Sequence, residues 1–138
     1  MNAGKAFFDT HILLYLLSAD PAKADRAEAV VANGGVVSVQ VLNEFAAVAA
    51  RKLHMSYPEI RDTLEPIRAL CQVRPLTAET HDLGLDVAER YGFSVYDALI
   101  VASALQAGCK TLYTEDMQDG QTIQGRLVVR NPFAAEAA

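Results

Sequence analysis

An α/β fold organised around a parallel sheet is predicted for this chain by three features. Short β-branched and aromatic runs alternate with helix-period segments from one end to the other. Those runs are separated by enough residues for helical crossovers, which parallel neighbours require and which put helices on both faces of the sheet. One segment, Ala98 to Leu105, is apolar almost all round, the pattern of a helix enclosed at the centre of a molecule. The 138 residues fit one domain, residues 1–138, around a single core. Residues of the AVILMFWYC set make up 51% and charged residues 21%, which excludes a disordered polyelectrolyte. The net charge of −5 argues against binding nucleic acid through bulk charge, so any such role has to be local.

Each element has its own signal. Ala6-Phe7-Phe8 reads as a buried strand that stops at Asp9, and Ile12 to Ser18 as a short helix broken by Ala19-Asp20-Pro21. The apolar run Ile12 to Leu17 follows an acid rather than a basic segment and is far short of the ~20 residues that cross a bilayer, so a cytoplasmic address is expected. Ala22 to Val31 is helical by composition, with Asn33-Gly34-Gly35 as a left-handed C-cap. Val36 to Val39 is a second strand, and Val41 to Leu53 places Val41, Leu42, Phe45, Val48 and Ala49 on one helix face. Ser56-Tyr57-Pro58-Glu59 is a capping box with proline in the first turn and opens a helix through Leu70. Cys71 to Leu76 is strand-like, and a helix from Ala78 to Tyr91 is stopped by Gly92. Ser94-Val95-Tyr96-Asp97 is another Ser-x-x-acid box and starts the apolar helix that Gly108 closes. Thr111 to Thr114 is a strand running into the polar turn Glu115 to Gly120, and Leu127 to Val129 is the last strand. The Ala-rich end after about residue 133 reads as a frayed tail. Cys71 and Cys109 lie far apart with no CxxC and no histidine at metal spacing, and read as buried apolar thiols.

Parallel α/β sheets put their sites beyond the carboxyl ends of the strands. Asp9 closes the first strand and Asp116 follows Thr114 by two residues, so both belong at that edge. Glu44 lies in the first turns of the helix leaving the second strand, where Asn43-Glu44 interrupts an apolar stretch, and Asp97 lies in the first turn of the central helix. Each acid also has a plainer use: Asp9 as a helix cap, Asp97 as half of a capping box, Asp116 in an Asx-turn. Four acids on one rim, however, repel, and the usual reason to gather them is a hard divalent cation, Mg²⁺ or Mn²⁺. His54 and His81 have no partner at a useful spacing and read as helix-surface residues. Arg51, Lys52, Arg61, Arg68 and Arg90 are candidates for a phosphate-guiding rim, and Tyr57, Tyr91, Phe93 and Tyr96 for base stacking, against plain surface and core roles.

Phe7-Phe8-Asp9-Thr10, Val39-x-x-Leu42-Asn43-Glu44, Tyr96-Asp97-Ala98-Leu99-Ile100-Val101-Ala102-Ser103-Ala104 and Leu112-Tyr113-Thr114-Glu115-Asp116, in that order, resemble the signature of PIN-domain ribonucleases, especially VapC-type toxins. The likeness runs from about Ala6 to Phe133, and its most specific parts are the Asp97 helix and the Thr-x-Asp turn. It implies an α/β/α sandwich with a short central parallel sheet, metal-dependent hydrolysis of RNA with Mg²⁺ (or Mn²⁺), homodimers, and inhibition by a small antitoxin with a basic segment. Carried over residue by residue, Asp9, Glu44, Asp97 and Asp116 are the catalytic, metal-binding set, with Thr10 and Thr114 beside them. Two positions depart from the pattern. His11 stands where a small polar residue is more usual, and Asp119 is a second acid in the turn, here kept as an outer-shell candidate.

Two other classes compete. A receiver-like phosphotransfer domain also has acids at strand ends, but this chain lacks both an acid pair near the first strand and a lysine just beyond Thr114. A non-catalytic α/β interaction module whose acidic rim docks a basic partner needs no meeting of Glu44 with Asp97, so the relative placement of the four carboxylates discriminates. The high apolar content, carried by the helices Ser56 to Leu70 and Ala78 to Tyr91, predicts a further buried surface and hence a symmetric homodimer.

Overall fold

The computed structural model describes residues 5–134, so most of the Ala-rich end read as a frayed tail lies outside the described residues. Six strands form one sheet in the order β3-β2-β1-β4-β6-β5: β1 (Ala6–Phe8), β2 (Gly35–Ser38), β3 (Cys71–Arg74), β4 (Thr111–Tyr113), β5 (Thr122–Ile123) and β6 (Leu127–Arg130). The first five in that spatial order run parallel, and only β5 is antiparallel, paired with β6. Between them run α1 (Thr10–Leu14), which tightens into a 3₁₀ turn over Tyr15–Leu17, then α2 (Pro21–Val31), α3 (Val39–Lys52), α4 (Tyr57–Leu70), α5 (Ala78–Tyr91) and α6 (Val95–Gln106). This is the expected α/β/α arrangement, mixed only at the β5 edge.

Burial follows from the crossovers. Phe7 and Phe8 point to opposite faces of β1, and both are fully buried because the central strand of a parallel sheet is covered on both sides. Val36, Val37, Leu112 and Val129 continue that core across the neighbouring strands. In α6, Ala98 and every residue from Ile100 to Leu105 are buried, as its all-round apolar sequence requires.

Several boundaries differ from the sequence reading, each for a local reason. Helix α1 begins at Thr10 rather than Ile12, because Asp9 itself is the N-cap and accepts from Thr10 N. Helix α3 begins at Val39 rather than Val41, because Ser38, read as strand interior, is the cap whose hydroxyl accepts from Val41 N. Gly34 is left-handed with φ +75°, as a C-cap glycine can be, but Gly35 belongs to β2. A Cβ on Gly35 would stand 2.5 Å from Ala6 O and 2.6 Å from the Phe8 ring, so this glycine lets β2 lie against β1. The sequence reading left out β5. Its two residues are too few to show a period, and the turn that makes it is a tight one, with positive φ at both Gln124 and Gly125 and Arg126 N donating to Ile123 O.

The strand order fixes where a site can form. The chain steps from β1 outward to β2 and β3, then crosses back to place β4 on the other flank of β1. At such a reversal the connections leave the sheet in opposite directions and open a crevice beyond the strands' carboxyl ends. Asp9 and Thr114 are the residues immediately beyond β1 and β4 there.

Candidate active site

Asp9 is 5% exposed, and both of its oxygens are held. Oδ1 accepts from Thr10 N at 2.7 Å and Oδ2 from the fully buried Thr114 hydroxyl at 2.7 Å, while Asp9 N donates to Tyr113 O at 3.0 Å. Thr114 Oγ1 in turn accepts from Asp116 N at 3.1 Å, which sets the start of the turn after β4. On the other flank, the buried Thr10 hydroxyl donates to Glu44 Oε1 at 2.7 Å and so ties α1 to α3. One chain of hydrogen bonds thus runs from Asp116 through Thr114, Asp9 and Thr10 to Glu44.

Asp97 reaches the same place from α6. Ser94 Oγ accepts from Asp97 N at 3.2 Å, the first half of a capping box. In α4 the second half is also made, Glu59 accepting from Ser56 N; Asp97 makes no such bond to Ser94 N. Its carboxyl lines a cleft of about 270 Å³ with Asp9, Thr10, His11, Gln40, Glu44, Arg51, Tyr96 and Asp116. All four predicted acids therefore border one cavity, as do Thr10 and His11. Asp119 does not line it; its carboxylate accepts from Asn131 N at 3.0 Å and braces the far side of the turn. Among the described residues no backbone N–H donates to the Asp116 carboxylate, so it makes no Asx-turn; the turn starts instead with Asp116 N donating to the Thr114 hydroxyl.

The electrostatics are those of gathered, uncompensated anions. Burial, the largest influence, pushes Asp9 up to about 6, with Asp116 and Glu44 adding to the rise and the bonds from Thr114 and Thr10 opposing it. Desolvation likewise raises Asp97, again with Asp116 and Glu44 contributing. Among the described residues none of the four carboxylates is paired with a lysine or arginine; the one ion-pair contact is His11 Nδ1 to Asp116 Oδ2 at 3.3 Å. Among the described residues, no three of these four carboxylates bring oxygens within 4.8 Å of one another. An oxygen-only donor set on a shared, solvent-reachable cleft fits a hydrated divalent cation held by one or two direct carboxylates and several waters.

Sequence reasoning missed two features here, Gln40 and the Tyr15–Glu115 contact. Gln40 is buried and donates through Nε2 to Tyr96 O at 3.2 Å, and its Oε1 has no partner; its polarity one residue after Val39, at the start of α3, was the available signal. Tyr15 donates to Glu115 Oε1 at 2.5 Å, which together with burial lifts the phenol to about 12. Of the five cations considered for a phosphate rim, Arg51 alone borders this cleft; Arg61 and Arg68 face a separate groove against α4. Of the four aromatic candidates only Tyr96 lines it, 69% exposed at the mouth.

The chain is an α/β protein whose doubly flanked, mostly parallel sheet carries four carboxylates at its switch point, and residues 6–118, most of the chain, match the PIN domain family. The protein belongs to that family. Its fold is similar to that of a chain in a toxin–antitoxin complex from Klebsiella pneumoniae, with a TM-score of 0.72 and 22% identity over 95% of this chain and 100% of that one. The sarcin–ricin-loop-cleaving toxin VapC20 of Mycobacterium tuberculosis gives 0.66 and 19% over 81% and 90%. A chain of VapBC2 from Rickettsia felis, bound to a DNA fragment from its promoter, gives 0.65 and 19% over 91% and 97%. No curated protein matches the sequence.

The position of Asp9 makes stability depend on pH. Its proton is held more tightly in the folded chain (about 6) than in the unfolded one (3.8), so this group's contribution is complete below about pH 4 and is lost as pH rises through 6. The loss amounts to about 3 kcal/mol. In metal-free buffer Asp9→Asn should therefore be about 1–2 kcal/mol more stable than wild type at pH 8, with the advantage gone at pH 4. Urea unfolding in EDTA at the two pH values reads this directly. A variant less stable at both would make Asp9 chiefly a cap.

Proposed function

We propose that this protein is a metal-dependent endoribonuclease that hydrolyses RNA phosphodiester bonds, the toxin of a toxin–antitoxin pair. The observation that carries the reading is the convergence of Asp9, Glu44, Asp97 and Asp116, without a lysine or arginine partner, on one cleft of a PIN domain. The fold relatives named above, one of them a sarcin–ricin-loop-cleaving toxin and another a chain of a toxin–antitoxin complex, support the same reading.

In this account the four acids hold Mg²⁺ or Mn²⁺. When bound, such an ion shields the phosphodiester charge and makes a water a better nucleophile. Thr114 and Thr10 keep Asp9 and Glu44 from turning away, so the carboxylates need no reorganisation when substrate arrives. Arg51 guides a flanking phosphate at the cleft wall, and Tyr96, fixed at its backbone by Gln40, offers a face for a base. Asp119 acts from outside by bracing the turn that carries Asp116.

The partners follow from charge and exposed surface. Exposed Tyr57 stands beside a groove of about 770 Å³ lined by Leu42, Ile60, Leu64 and Val73, along the open β3 edge. That supports a further protein contact, which we assign to a second copy. The acidic rim suits a small antitoxin that brings arginine or lysine to Asp97 and Asp116 as bidentate or point-charge partners.

Two outcomes are expected. RNA cleavage should cease in EDTA and return with Mg²⁺ or Mn²⁺, and Asp97→Asn should lower kcat/KM by about a hundredfold or more while melting within a few degrees of wild type. Cleavage indifferent to chelation sinks the metal mechanism, whereas no cleavage with or without added metal favours the interaction-module reading. Light scattering at micromolar concentration should give the mass of a dimer, and a monomer alone would refute that assignment.

A further inference from the structure

His11 brings a nitrogen donor to a rim otherwise made of oxygens. It lies in the first turn of α1, half exposed, and the turn after β4 sets Glu115 and Asp116 opposite it. One ring nitrogen of His11 and one carboxylate oxygen from each acid lie within 4.8 Å of one another. His11 Nδ1 stands 3.3 Å from Asp116 Oδ2, so the nitrogen and the carboxylate oxygen already face one another across the rim. The Tyr15 hydroxyl engages Glu115 Oε1, fixing that side chain and leaving Oε2 for a ligand.

We infer that His11, Glu115 and Asp116 form a binding site for a borderline transition-metal dication, Zn²⁺ or Co²⁺, on the rim of the acidic cleft. Imidazole nitrogen suits such ions, whereas Mg²⁺ prefers oxygen and keeps its waters. Three protein donors leave a coordination position for water, the open form of such centres. Because Asp116 belongs to both places, an ion here neutralises one of the four carboxylates of the cleft. The site shares Asp116 with the acid set of the proposed function, but it is read by Co²⁺ binding rather than by cleavage, so its failure is distinguishable from failure of that reading.

The test uses full-length, untagged protein stripped of metal and held in excess Mg²⁺, titrated with Co²⁺ by visible d–d absorption and then challenged with Zn²⁺. The expected result is one equivalent of Co²⁺ that Zn²⁺ displaces. His11→Ala and Glu115→Gln should each weaken it about tenfold or more. The chain has three histidines, so the double variant His54→Asn/His81→Gln leaves His11 as the sole imidazole and should bind as wild type does. Unchanged affinity in His11→Ala, loss of binding in the double variant, or displacement of Co²⁺ by Mg²⁺ would each overturn the assignment.

Discussion

The structure turns on a single buried carboxylate. Asp9 ends the central strand, caps the helix that follows, and is held by a hydroxyl from the neighbouring strand's end. A carboxylate in that place is tolerated only because each oxygen receives a hydrogen bond of 2.7 Å, and those two bonds do not fully repay its dehydration, as its upward-shifted proton affinity records. Everything else in the cleft is arranged around it. The β1–β4 register sets Phe8 beside Tyr113 and therefore brings Thr114 level with Asp9. The Thr10 hydroxyl then carries the same network across to α3 and Glu44.

Capping and catalysis are not rival uses of these residues. Asp9 accepts the first free N–H of α1 and still faces the cleft, so the cap and the metal-holding role proposed for it are compatible. Asp97 illustrates the opposite resolution. Its N–H is capped by Ser94, but its carboxyl makes no bond back to the cap nitrogen, in contrast to Glu59 at the start of α4. All four acids still border the one cleft. The proposed cation or basic partner would supply the positive charge that these four acids attract.

Much of this was legible in the chain. The parallel α/β class followed from the alternation of runs, and the central position of α6 from its lack of a polar face. The four acids could be placed on one rim because strand ends and first helical turns converge there by geometry alone. What escaped were contacts between segments far apart in sequence. Nothing local in Tyr15 announces Glu115, a hundred positions on, and His11 meets Asp116 only because β1 and β4 are neighbours. The cap at Ser38 was obscured because Val39, the first helical residue, reads equally well as the end of a β-branched strand. Gly35 was taken for punctuation when its role is close packing, a distinction that depends on where Phe8 lies.

The central claim is that the cleft holds a divalent cation through Asp9, and that binding must expel the proton this buried acid retains. Calorimetric titration of Mn²⁺ into the metal-free protein at pH 6, in two buffers of different ionisation enthalpy, counts that proton. With Asp9 near half-protonated at pH 6, binding should release about half a proton or more, and the release should vanish by pH 8. Binding at pH 6 with no proton released, or no binding at either pH, would contradict the account.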